Sequence, residues 1–515
     1  AIGVWNTFDF SQMRSMAVYQ LLALESDVAD AQHIPNSPLP GYMGNDYPWF
    51  GTLVYNGAVY DHIGFRARGG LRRYATGKNN WKFNFRRGHR FQAYDDFGIP
   101  YPVKWDKLVF SSVLQHANRG YRGEQGMFET LSYRLFNLAG VPASATHFVH
   151  FRVVDRPAEQ TSSQYDGDFW GLYLAIENID GQFLDQHELP DGNLYEMKSA
   201  SGELDNDGEN GVADKSDLNA FMGSYLYGAP DTNWWRTNFD LSGYYSYRSI
   251  SEAIHNYDIW EGKNYYYFLD PETSHWSMFP WDLDVTWAES MSGSGLDPFV
   301  TRVLSRPEFN LEYQNRLREL RDLLFNPEQI YPLLEETAAL IDSPSGGLAL
   351  VDADRARWDY NPILASSYVT PGRAGRGNFY SSASTRDFRG MVQLMRNFAQ
   401  NRSAWIDKNL LTDRSAPFTP GVWYGGPAGY PADQLVFDAS GFADPQGAAT
   451  FSAMQWRVAE ISYPGIPGYD PNQRGRYEIE ATWVSEEITS FQSRITLPKG
   501  SCMPGSTCRV RVRMK

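Results

Sequence analysis

One stretch restricts the possible folds more than any other. It runs His255-Asn256-Tyr257-Asp258, then Lys263-Asn264-Tyr265-Tyr266-Tyr267-Phe268, then Pro280-Trp281-Asp282-Leu283-Asp284. Tyr265–Leu269 and Trp276–Phe279 are short, aromatic-rich runs of strand character, and the spacing between them predicts a hairpin-like return. Asp258 precedes the first strand, Asn264 begins it, and the return ends at Asp282. The pattern therefore brings two carboxylates and an amide to one end of a two-stranded ribbon. Magnesium takes oxygen ligands, commonly one or two carboxylates together with substrate phosphates. Phosphoryl transfer asks for little beyond a metal, positive charge and an aligned nucleophile. Asp and Asn at strand ends are also ordinary turn formers, so spacing alone leaves both readings open.

A second stretch supplies the positive charge. Arg66, Arg68, Arg72, Arg73, Lys78 and Lys82 place six cations within seventeen residues, interrupted by Gly69 and Gly70. Glycine lets backbone approach an anion, and arginine forks match phosphate oxygens. The run matches neither a GxxxxGK[ST] loop nor a GxGxxG loop. A solvated basic face is the alternative.

Around these stretches the periodicity switches between helix and strand. Asn56-Gly57 marks a hairpin between two strands in Val54–Phe65. Trp81, Phe83 and Phe85 share one face of a strand. Glu124–Leu138 reads as a helix ended by Gly140 and Pro142. His147–Val154 and Phe169–Ile176 read as strands, and Leu311–Leu324, Ile330–Ile341 and Phe388–Leu411 as helices. The expected class is α+β: one large domain over residues 1–412, a Pro/Gly-rich linker over 413–431, and a small all-β sandwich of fibronectin-III-like character over 432–515, truncated inside its last strand pattern.

Composition removes several function classes. The 78 aromatic residues among 515 exclude disorder as the main state. A net charge of −15 opposes general nucleic-acid binding. No apolar run is long enough for a transmembrane helix. The chain starts at Ala1, which is expected of a processed or excised piece, and the acidic, aromatic-rich composition points to export. Cys502 and Cys508 can close a small disulfide or stand as free thiols; zinc signatures are absent. Asp205, Asp207, Glu209, Asp214 and Asp217 are spaced loosely like a calcium loop but miss its register, so a solvated acidic loop is the stronger expectation over Ca²⁺. His147 and His150 point to opposite strand faces and make poor co-ligands. Ser292-Gly293-Ser294-Gly295 reads as a surface linker or a movable segment beside the acidic motif. No G-x-S-x-G elbow is present.

Taken in order, the segments resemble the spore-coat H (CotH) kinase family of atypical protein kinases. The resemblance rests on Arg68-Gly69-Gly70 leading to Lys78-Asn79-Asn80-Trp81-Lys82-Phe83, on Leu138-Ala139-Gly140-Val141-Pro142-Ala143, and on Trp170-Gly171-Leu172-Tyr173 with Glu177 and Asp180. It continues through Leu194-Tyr195-Glu196 and Asn264-Tyr265-Tyr266-Tyr267-Phe268 to Pro280-Trp281-Asp282-Leu283-Asp284. It covers roughly residues 50–400.

The resemblance implies a divergent two-lobed protein-kinase-like fold that binds ATP with Mg²⁺ or Mn²⁺ and phosphorylates Ser or Thr of a protein. Asp282 would hold metal, with Asn264 and Asp284 as further metal-side residues. Asp258 would orient the incoming hydroxyl. Lys82 would contact the phosphates, with Arg68 and Lys78 as further phosphate contacts. Either Glu129 or Glu177 would orient the lysine or face the nucleotide. His255 would sit in the catalytic loop. The chain departs from the family at Gly70 and Leu71, where serines stand, at Asn79, the second position of a lysine pair, and at Val285. These departures leave two other outcomes: an inactive scaffold serving as a surface adhesion protein, or ATP-dependent adenylylation or glutamylation at the same clamp.

Overall fold

The computed structural model describes residues 16–32, 47–68, 77–117, 120–156, 167–198, 201–289, 293–342, 349–362 and 374–515. Two compact units emerge. The first comprises residues 1–311 and 337–398, the second 312–336 and 399–515. The fold is mixed α/β. Among the described residues no helix is long and apolar enough to cross a membrane.

The first unit opens with strands β1 (Ala17–Leu22), β2 (Trp49–Tyr55), β3 (Ala58–Arg68), β4 (Asn80–Asn84) and β5 (Lys107–Ser111). A short pair follows, β6 (Gln115–Ala117) with β7 (Gly120–Arg122), and then β8 (Thr146–Val154) and β9 (Phe169–Glu177). Seven of these close a barrel in the order β1-β2-β3-β4-β5-β9-β8. Only the β1–β8 seam is parallel. Asn56 and Gly57 have φ of 48° and 75° and join β2 to β3 in the predicted hairpin.

Strand alternation fills the barrel with rings: Tyr19, Phe65, Trp81, Phe83, Phe110, Phe151 and Tyr173 are all buried in one cluster. The same alternation turns Lys82, between Trp81 and Phe83, to the other face of β4. A helix over Met127–Leu138 ends as its sequence predicts, with Gly140 at φ 77°.

Downstream lie β10 (Asn193–Lys198), β11 (Ser201–Asn206), β12 (Tyr265–Leu269) and β13 (Trp276–Pro280), an antiparallel sheet in the order β11-β10-β12-β13. β12 and β13 are the ribbon read from the sequence. Their register pairs Tyr265 with Pro280, so Asn264 and Trp281 leave the sheet at the same end.

One reading is corrected here. Asp205 and Asn206 belong to strand β11, not to an acidic loop, because pairing with β10 supplies the backbone bonds that their weak strand preference does not. The acids of that run are shared out. Asp217 accepts from Asn193 at 2.9 Å and from Tyr195 at 2.6 Å, while Asp205 bonds Tyr266.

The second unit holds two three-stranded antiparallel sheets. One is β14 (Val422–Tyr424), β15 (Val436–Ala439) and β18 (Arg494–Thr496) in the order β14-β15-β18. The other is β16 (Met454–Ile461), β17 (Trp483–Val484) and β19 (Thr507–Met514) in the order β17-β16-β19. Strand β14 thus starts in the Pro/Gly-rich stretch that reads as a linker. Trp456, Val512, Phe437 and Ile495 join one apolar core between the sheets. Cys502 and Cys508 form a disulfide with Cα atoms 6.3 Å apart. Helical residues of the same unit are tied to this core by buried polar contacts: the Tyr477 hydroxyl donates to Glu336 at 2.5 Å and Gln329 accepts from the Glu478 amide at 3.0 Å.

Candidate functional site

The β12–β13 end gathers the acidic residues. Asp282 follows Trp281 with φ of 57°, and Asn264 precedes β12 with φ of 65°. Left-handed backbone is uncommon outside glycine and is tolerated where the surroundings fix it. Asn264 is buried and donates through Nδ2 to the Asp258 carbonyl at 2.7 Å and to Asp258 Oδ2 at 3.2 Å. Its Oδ1 is left to accept or to ligate. Lys263 Nζ lies 3.2 Å from both carboxylate oxygens of Asp258. His255 supports the loop from behind: it is buried, its Nδ1 lies 2.5 Å from the Ala288 carbonyl, and its ring meets Tyr257 edge-on at 3.9 Å.

Burial and mutual repulsion raise the acid pKa values here. The Asp282 carboxyl is raised by burial and by Asp258, against the pull of Arg68. Asp284 is raised well above the carboxylate range by burial, then by Asp282 and Glu129. Glu129, on the Met127–Leu138 helix, is pushed up to about 7 by burial and by Asp282, against a hydrogen bond from Ser111 and the charge of Arg68. Its Oε2 is buried with no hydrogen-bond partner among the described residues. An orphaned buried carboxylate oxygen is costly unless a cation or donor completes it.

The barrel brings the opposite charge. Lys82 pairs in register with Arg66 of β3. Burial, then Lys107, Arg68 and Arg66, bring the Lys82 ammonium down to about 8, with Asp205 opposing. No described residue hydrogen-bonds its Nζ. Arg68 lies over the Trp281 ring at 5.5 Å, which carries its charge to the acidic side. Gly69, Gly70, Leu71, Arg72, Arg73 and Ser292 lie outside the described residues.

Asp258, Asn264, Asp282, Asp284, Glu129 and Arg68 therefore form one electrostatic neighbourhood, and Arg68 links Lys82 to it. Two predicted residues do not join it. Lys78 is fully buried: its Nζ donates to the Leu172 carbonyl at 2.5 Å and to Asp354 at 2.8 Å, and it lies 4.5 Å above the Tyr173 ring. Glu177 accepts from the Ala145 amide at 2.9 Å and pairs with His187 at 3.2 Å.

Sequence reasoning missed two further acids. Glu196, opposite Tyr266 on β10, adds to the charge felt by Asp282 and Asp205. Asp205 is pushed up to about 6 by burial and then by Glu196. The signal for Glu196 was available: it belongs to the Leu194-Tyr195-Glu196 run on which the family resemblance rests.

A cluster of hard oxygen donors beside Arg68 suits a divalent metal bound together with an anion such as a phosphate. A family model described as CotH kinase protein matches residues 65–406. The chain belongs to the CotH kinase family. It is also similar to the inner spore coat protein H of Bacillus subtilis (strain 168), with 22% identity over 242 residues. That match covers 41% of this chain and 66% of the Bacillus protein, just under two thirds of its length. The CotH kinase match takes in both the barrel strands that carry Lys82 and the ribbon that carries Asp282.

Proposed function

We propose that the chain is an atypical protein kinase that transfers the γ-phosphoryl group of ATP to a Ser or Thr hydroxyl of an exported or surface protein, itself included. In this reading the barrel and the four-stranded sheet serve as the two halves of a kinase-like cleft. The observation that carries it is the gathering of Asp258, Asn264, Asp282 and Asp284 at one end of the ribbon, with Arg68 acting both on Asp282 and Asp284 and on Lys82, a lysine that no described residue hydrogen-bonds. Family membership supports it.

Each residue has a distinct task. Lys82 and Arg68 bind and orient the phosphates. Asp282, Asp284 and the Asn264 amide oxygen are the donors for Mg²⁺ or Mn²⁺; the metal, when bound, neutralises phosphate charge. Asp258 sits where it can accept the proton of the acceptor hydroxyl as that oxygen bonds to the γ-phosphorus and the bond to the β-phosphate oxygen breaks, releasing ADP. Lys263 and Asn264 hold Asp258 in place. Glu129 completes the wall beside Arg68. Export is supported by the Cys502–Cys508 disulfide, a bond that persists in oxidising compartments.

One feature favours a non-catalytic scaffold instead: Glu196 adds a further negative charge beside Asp282 and Asp205. A single experiment separates the two. The purified chain is incubated with γ-labelled ATP and Mg²⁺ or Mn²⁺, with a generic basic acceptor present, beside Asp282→Ala. Gain of phosphoryl mass in the wild type alone is the expected result. Gain of an AMP mass would move the reading to adenylylation. No gain, together with no thermal shift on adding ATP, would leave the scaffold.

A further inference from the structure

Two large apolar side chains stand in water beside Asp258. Trp260 is 41% exposed and Leu296 50% exposed. A parallel β-bridge joins the two residues, so they make one apolar step. Lys263 connects that step to the site. Its ammonium lies 4.0 Å above the Trp260 ring and 3.2 Å from the Asp258 carboxylate. Because one ammonium touches both, ring and carboxylate are neighbours.

The step is also fastened. The Gly295 amide donates to the Tyr257 carbonyl at 3.0 Å, and Arg248 donates to the Gly295 carbonyl at 2.5 Å. A Cβ on Gly295 would stand 2.5 Å from the Tyr257 ring. Arg248 in turn pairs with Asp297 at 3.2 Å. The segment bearing Leu296 is therefore held against the segment bearing Asp258 and Trp260. Of the sequence read as a surface linker, Gly293 and Ser294 are exposed and Gly295 is buried. An indole held rigidly with much of its surface in water gains little from folding and offers a large, low-entropy contact to a ligand.

We propose that the Trp260–Leu296 step is an acceptor subsite, taking an apolar side chain two residues from the Ser or Thr that Asp258 receives. This rests on the kinase reading and names its substrate class: an extended peptide segment with an apolar residue at that offset. An extended chain advances about 3.3 Å per residue and sends residues i and i+2 to the same face. The span between those two side chains, roughly 6–7 Å, suits a hydroxyl at the carboxylate and an apolar group on the adjoining ring. Glu261, 39% exposed at the rim, is already paired with Arg302 at 3.4 Å, so the step itself is the selective element.

The test is a library of labelled peptides with one Ser and every residue varied two positions to either side, read as affinity by fluorescence polarisation. The proteins compared are wild type, Trp260→Ala, Trp260→Phe and Leu296→Ser. Wild type should bind peptides with Leu, Met or Phe at one of those positions about tenfold tighter than peptides with Gly or Asp there, the discrimination expected of one buried apolar group. Trp260→Ala should flatten the profile, Trp260→Phe should keep most of it, and Leu296→Ser should fall between. The same profile in wild type and Trp260→Ala, or no peptide binding at all, overturns the subsite. Affinity is read without transfer, so the two ideas fail separately. An apolar profile with no phosphoryl labelling keeps the subsite and removes the kinase; labelling with an unchanged profile in Trp260→Ala does the reverse.

Discussion

Lys78 and Lys82 begin the same strand segment four residues apart, and burial lowers both ammonium groups to about 8. Their surroundings are opposite. The pocket around Lys78 is closed and answered: Asp354 takes its charge, and Asp354 is itself held by the Leu172 amide at 2.8 Å and by Gln125 at 3.2 Å. The surroundings of Lys82 are cationic instead: Lys107, Arg68 and Arg66 act on it first, Asp205 is the first to oppose them, and no described residue hydrogen-bonds its Nζ. A perturbed lysine is therefore no guide to function by itself. What separates structure from chemistry is whether the protein has already supplied the counter-charge.

Substitution should split the pair. Lys78→Met leaves Asp354 buried without its cation, and breaking one side of such a pair costs about 3–5 kcal/mol. Its denaturation midpoint should fall sharply, and Lys78→Met with Asp354→Asn should recover most of the loss. Lys82→Met should leave the midpoint unchanged or raised, since a like-charge neighbour of Arg66, Arg68 and Lys107 is gone. Phosphoryl transfer should drop by about 10²-fold or more, as when a preorganised charge is removed from a reacting site. Equal destabilisation by the two variants would erase the distinction.

The acidic side offers a second cut. If Asp282, Asp284 and Asn264 are an unfinished metal site, Mg²⁺ or Mn²⁺ should raise the melting temperature, by about 2.7 kcal/mol of stability at a hundred times Kd. Asp282→Asn should lose that shift and yet be more stable than wild type without metal, because one of several mutually repelling carboxylates is neutral. A metal-free Asp282→Asn less stable than wild type, with the shift retained, would make the cluster structural.

Which parts were legible follows from the range of each interaction. The ribbon was readable because a hairpin's register is local, and Tyr265 opposite Pro280 brings Asn264 and Asp282 together. The Asn56-Gly57 turn and the Gly140 helix end were readable for the same reason. Lys78 was not, because its partner lies 276 residues away on another element. Asp205 was misread because acidic residues weaken strand preference, and only the neighbouring strand shows that the segment is paired. The choice between Glu129 and Glu177 could not be made from sequence, since both are carboxylates on apolar elements. The structure gives one oxygen of Glu177 a histidine and an amide; among the described residues each glutamate keeps one buried oxygen without a hydrogen-bond partner, and only Glu129 lies within the influence of Arg68 and Asp282.

That last difference has the smallest effect and a clear sign. The Glu129 pKa is raised on folding from 4.5 to about 7, so between those values the folded chain holds a proton that the unfolded chain releases. Stability must then fall as pH rises from about 4.5 to about 7 and level off above, by no more than about 3.4 kcal/mol for this one group. Glu129→Gln removes the titration. Its metal-free midpoint should exceed that of wild type at pH 7.5, match it near pH 4.5, and lack the decline between. Glu177 is also raised by burial, but its amide and histidine contacts oppose the rise. Glu177→Gln forfeits the contact with His187 and should therefore gain less than Glu129→Gln at neutral pH. A gain at pH 7.5 in Glu129→Gln that Glu177→Gln does not match would show a Glu129 carboxylate left short of counter-charge by the described residues, whereas equal changes would place both among ordinary structural carboxylates.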